Sequence, residues 1–156
     1  MQIADLVTPE RVAYGVQAGS KKRALELLSE LIAHSRPHLT QGEVFESLIG
    51  RERLGSTGLG HGVAIPHGRI KGDTAATGAF IKLDRAVDFD AVDNEPVDLL
   101  FALMVPETAV EEHLQILARL AEMFSDSVLC KELREAASDQ KLFELLLQWE
   151  SQHTPA

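Results

Sequence analysis

A chain of 156 residues with 45% hydrophobic and 25% charged side chains is the size of one domain, able to bury roughly two-thirds of its unfolded surface, and too apolar to stay disordered. Its 24 acidic and 15 basic residues give a net charge of -9, which argues against nucleic acid as a partner, because backbone phosphates are bound by clustered Lys and Arg. The single cysteine, Cys130, cannot form an internal disulfide and reads as a small core residue.

No basic start with a long apolar run marks a signal peptide, and no apolar stretch approaches the roughly 18 residues of a membrane span. A cytoplasmic location and no membrane insertion are therefore expected. No repeat, low-complexity segment or linker divides the chain, so one domain over 1–156 is expected, with an ordered core of about 3–150.

Thr8-Pro9 offers an N-cap followed by proline, and the alternation of Val12, Tyr14 and Val16 turns this segment into a strand. Ser20 caps a helix to about His34, with Ala24, Leu25, Leu28, Leu31 and Ile32 on one face. Thr40 with Glu43 forms a capping box for a second helix, apolar at Val44, Phe45, Leu48 and Ile49, that ends around Arg53 before Gly55. A glycine-rich loop follows. Val63-Ala64-Ile65 reads as a short buried strand halted by Pro66, with His67 just past its end.

Gly78 to Leu83 is a second strand, and Val87, Phe89 and Ala91 alternate with acids up to a turn at Asp93-Asn94-Glu95-Pro96. Val97 to Val105 is nearly all apolar and reads as a central strand that Pro106 stops. From Ala109 to Phe124 the positions Leu114, Leu117, Leu120, Ala121 and Phe124 repeat at helical spacing, which puts His113 in or near the first turn. Helices over about Val128 to Ala136 and, capped by Ser138, Lys141 to Trp149 complete the chain. The pattern indicates an α/β fold: a single layered domain in which helices flank both faces of a mixed β-sheet.

The specialised stretch is Arg51 to Arg69, R-E-R-L-G-S-T-G-L-G-H-G-V-A-I-P-H-G-R, with five glycines, three arginines, two histidines, Ser56 and Thr57 in nineteen residues. Gly58-Leu59-Gly60-His61-Gly62 is not a nucleotide loop, since it runs from helix to strand rather than strand to helix and lacks the Walker lysine. His61, His67 and His113 have no short ligand spacing and no Cys cluster beside them, so no metal is expected. A Ser-His-Asp hydrolase lacks its GxSxG elbow, and no cofactor is implied.

His67 lies between a proline that fixes the approach of the chain and a glycine that lets it turn, which exposes the ring rigidly. A histidine with a pKa near 6.5 is largely neutral at cytoplasmic pH, so one ring nitrogen keeps a lone pair that can attack phosphorus. Glu52, late in its helix, reads as solvated surface.

The nineteen-residue run resembles the active-site signature of the type-2 (fructose/mannitol) IIA family of the bacterial phosphoenolpyruvate-dependent phosphotransferase system. Its G-S-T-G and P-H-G-R spellings and the chain's length resemble the nitrogen-regulatory members. The resemblance spans Leu6-Val7 to the last helix and implies the type-2 IIA fold. It also implies that His67 accepts a phosphoryl group at Nε2 from the phosphohistidine of an HPr-like carrier.

By the same resemblance, His113, in Glu112-His113-Leu114, matches an assisting histidine. Arg51 matches the arginine before the S-T-G loop, and Ser56 and Thr57 match hydroxyls near the phosphate, with Arg53 as a further neighbour. His61 departs from the pattern, standing where asparagine is common. The implied role is a phosphocarrier whose phosphorylation state regulates cytoplasmic targets such as kinases or ion-transport regulators. The alternative is a sugar-specific component that passes phosphate to a IIB domain.

Overall fold

The computed structural model describes residues 2–71 and 75–153. Local chemistry starts the elements where the sequence places them. Strand β1 (Val12–Val16) follows a turn of 3-10 helix, Pro9–Arg11. The Ser20 side chain accepts from the Arg23 backbone N–H to begin α1 (Lys21–His34), and the Thr40 side chain accepts from that of Glu43 to begin α2 (Gln41–Glu52). Each cap satisfies an N–H that the first helical turn leaves without a partner.

The glycine stretch is itself partly sheet. Gly58–Gly60 forms β2, antiparallel to β3 (Val63–Ala64). Pro66 interrupts β3 but does not end the sheet there, because β4 (His67–Ile70) resumes at once and pairs in parallel with β6 (Val97–Pro106). His67 is therefore the first residue of a strand, not a residue beyond one. Strand β5 (Thr77–Val87) is longer than expected, whereas Phe89 and Ala91 belong to a loop and are buried all the same.

The sheet runs β1-β5-β6-β3-β2, with β4 also on β6. Strand β6 takes β5 antiparallel on one side and β3 and β4 parallel on the other. Along β6, Leu99, Phe101, Leu103 and Val105 face the core shared with α3 (Val110–Phe124), α4 (Ser127–Glu135) and α5 (Asp139–His153), while Leu100, Ala102 and Met104 face α1 and α2. A strand with both faces covered has no polar face to alternate, which is why this one reads as a continuous apolar run.

The apolar face of α3 differs from the periodicity read in its sequence. His113, Ile116, Leu120, Met123 and Phe124 are buried, and Leu114 is 62% exposed. His113 takes the inward position that an aliphatic residue would ordinarily hold. Cys130 is buried, as its reading as a core residue required.

Candidate functional site

Two elements converge on His67. The first is β4, which puts the ring at the sheet edge of the core shared with α3, opposite Leu103 of β6. Gly68 lets α2 come close on the other side, since a Cβ there would collide with Ser47, and the Ser47 hydroxyl donates to the Arg69 carbonyl at 2.9 Å. The second is the first turn of α3, which brings the His113 ring edge-on to that of His67 with centroids 5.4 Å apart.

The His67 Nδ1 lies 2.8 Å from the carbonyl oxygen of Ile65. A carbonyl only accepts, so Nδ1 carries the proton and Nε2 keeps the lone pair. Burial lowers the pKa of the half-buried ring. The Ile65 hydrogen bond and the Glu52 carboxylate oppose this, and the Arg51 and Arg69 guanidinium charges reinforce it. The hydrogen bond sets the tautomer, and the lowered pKa favours the neutral form of the ring.

His113 is 5% exposed, and neither ring nitrogen has a hydrogen-bond partner among the described residues. Burial, then the neighbouring His67 and Arg69, push its pKa down to about 4. A buried polar ring without partners costs stability.

Arg51, Ser56, Thr57 and His67 line one concavity of about 370 Å³, with Ile65 and Leu117 among its apolar walls. One Arg51 nitrogen, Nη1, donates to the Gly55 carbonyl at 2.9 Å, which leaves further guanidinium N–H groups available. Ser56 donates to the Phe89 carbonyl at 2.7 Å and accepts from the Gly58 N–H at 3.1 Å. The Thr57 hydroxyl donates to the Glu52 carboxylate, which also accepts the Thr57 backbone N–H at 3.2 Å.

Glu52 is not solvated surface. It is 6% exposed and pairs with Lys21 Nζ at 3.0 Å, so it ties the S-T-G loop to the start of α1. Arg53, by contrast, is exposed. The hairpin of β2 and β3 is fixed from outside the motif. Asp93 accepts the His61 N–H at 2.9 Å, and Arg134, paired with Asp98 at 3.0 Å, donates to the His61 carbonyl at 2.6 Å. Nothing in the local sequence marks Asp93, Asp98 or Arg134 for this work. His61 itself is exposed, with φ 57.

Among the described residues no group of three or more His, Cys, Asp or Glu is placed to hold a metal ion, and no helix is long and apolar enough to cross a membrane.

The family model for the phosphoenolpyruvate-dependent sugar phosphotransferase system, EIIA 2, matches residues 5–149. The chain belongs to this family. Nitrogen regulatory proteins are among the relatives of this type-2 EIIA chain. That of Klebsiella oxytoca is 44% identical over 147 residues, which are 94% of this chain and 90% of the relative. That of Pseudomonas aeruginosa is 43% identical and covers 94% and 96%.

The crystal structure of the nitrogen regulatory protein IIA-Ntr from Neisseria meningitidis is 43% identical, superposes with a TM-score of 0.86 and covers 92% of this chain and 98% of its own. The mannitol IIA of Escherichia coli, at 21% identity, TM-score 0.73 and coverage of 90% and 98%, shares the fold. The expected mixed sheet with helices on both faces is the observed one, and the chain is a IIA component similar to the regulatory branch.

Proposed function

We propose that this chain is a regulatory phosphocarrier: His67 Nε2 accepts a phosphoryl group from the phosphohistidine of an HPr-like carrier, and cytoplasmic targets bind the two states differently. The observation that carries this reading is the 2.8 Å hydrogen bond from Nδ1 to the Ile65 carbonyl. It leaves Nε2 as the nucleophilic atom without any separate base. The lowered pKa of the ring keeps that lone pair available at neutral pH.

Phosphoryl transfer depends on positioning and on stabilising charge on the equatorial oxygens. Arg51 supplies a guanidinium from the end of α2, and the His113 N–H, unpartnered among the described residues, supplies a neutral donor beside the acceptor. Ser56 holds its proton on a neutral carbonyl, so a phosphate dianion can attract it away. The Thr57 proton rests on a carboxylate and stays there, with Thr57 shaping the wall. A phosphate group adds about -1.5 to -2 charge to the surface, enough to change how a target docks.

Incubation with phosphoenolpyruvate, the first enzyme of the relay and its HPr-like carrier is expected to give an acid-labile, base-stable phosphoprotein. His67→Ala is expected to remain unlabelled, and labelling at the wild-type level would remove the assignment. Offering the phosphorylated protein a IIB domain and sugar separates regulation from transport: efficient transfer would favour the transport reading.

A further inference from the structure

Arg69 lies two residues beyond His67 on β4, and the strand geometry sends both side chains the same way. Their register partners on β6, Leu103 and Val105, face the α3 side of the sheet, whereas Ile70 joins the α1 and α2 core and Gly68 abuts Ser47. The Arg69 side chain is exposed and forms no hydrogen bond or ion pair among the described residues. This holds although Glu107, Glu111 and Glu112 stand on the turn and helix start that follow β6. Arg51, which lines the concavity beside His67, already spends one N–H on Gly55. The charge of Arg69 lowers the pKa of both His67 and His113, and that of Arg51 lowers the pKa of His67.

We propose that Arg69 is a second phosphate-binding arginine of the site, its free guanidinium contacting the oxygens of the phosphoryl group on His67 Nε2 from the same face of β4. This rests on the phosphohistidine reading above. In the transfer, the Nε2 lone pair forms the new N–P bond as the N–P bond to the donor breaks and its electron pair returns to the donor nitrogen. Arg69 exchanges no proton, and its N–H groups offset charge on oxygens that are anionic throughout.

The test uses two phosphoryl donors: the phosphorylated HPr-like carrier, and phosphoramidate, which has no protein surface and releases ammonia when Nε2 attacks. Arg69→Gln is expected to melt like the wild type, because the side chain is exposed. Its labelling is expected to be about tenfold slower with both donors, in line with loss of one charge-assisted contact, and Arg69→Lys is expected to recover part of the rate. The His67 imidazole, followed by NMR, is expected to titrate at higher pH in Arg69→Gln.

A wild-type rate with phosphoramidate and a slow one with the carrier would overturn the proposal in favour of a docking role. Wild-type rates with both donors would overturn it outright. Since His67→Ala tested alongside reads the acceptor itself, labelling of that variant would remove the phosphohistidine reading and this proposal together, whereas an unlabelled His67→Ala beside a fast Arg69→Gln removes this proposal alone.

Discussion

His113 gives the site a measurable acid sensitivity. In the unfolded chain its imidazole takes up a proton as pH falls through about 6.5, whereas in the folded protein burial, His67 and Arg69 delay this to about 4. Between these values the unfolded state binds the extra proton, so the stability tied to His113 is intact above pH 6.5 and is lost as pH falls toward 4. Applying linkage to the two values gives a loss of about 2 kcal/mol at pH 5 and about 3 kcal/mol at pH 4, against almost nothing at pH 7.5.

His67, whose pKa is also lowered by burial, acts in the same direction, so the comparison that isolates His113 is between wild type and His113→Gln. Urea unfolding of both at pH 7.5 and pH 5 is the assay. With a slope of about 2 kcal/mol per molar urea, the wild-type midpoint is expected to fall by about 1 M more than that of the variant. Equal falls, or an NMR titration of His113 centred near its ordinary value, would refute the burial argument.

Other consequences are local. His113→Ala is expected to slow phosphoryl transfer while leaving His67 phosphorylatable, and unchanged single-turnover rates would return His113 to a packing role. Gly68→Ala drives a methyl into Ser47 of α2 and is expected to cost about 1 to 3 kcal/mol in chemical unfolding. A fully stable variant would show that α2 moves aside freely. Glu52→Gln leaves Lys21 without its buried carboxylate and weakens the hold on Thr57. A loss of about 2 kcal/mol is expected, with the His67 titration moving to lower pH because Glu52 supports the charged ring. An unmoved titration would disconnect the two.

The sequence by itself determined the helices and the identity of the specialised stretch. Ser20, Thr40 and Ser138 each accept the backbone hydrogen bond that their positions implied, because capping is a contact between residues three apart and needs no tertiary partner. The fully apolar run of β6 likewise announced a strand covered on both faces. The signature around His67 was legible as a string, since its glycines, proline and hydroxyls are consecutive.

Where the chain returns on itself, only the tertiary structure could decide. Pro66 reads as a stop, yet β4 continues beyond it because β6 offers a parallel partner, as in the Leu103 N–H donated to the Pro66 carbonyl at 2.9 Å. That resumption puts Arg69 on the face of His67. The helical spacing of α3 favours Leu114, but the sheet beneath selects His113, and the bare repeat cannot tell which side of a helix another element will cover. Glu52 reads as surface because charge at a helix end usually is. Its burial follows from Lys21, thirty-one positions away along the chain, which arrives on α1 to pair with it.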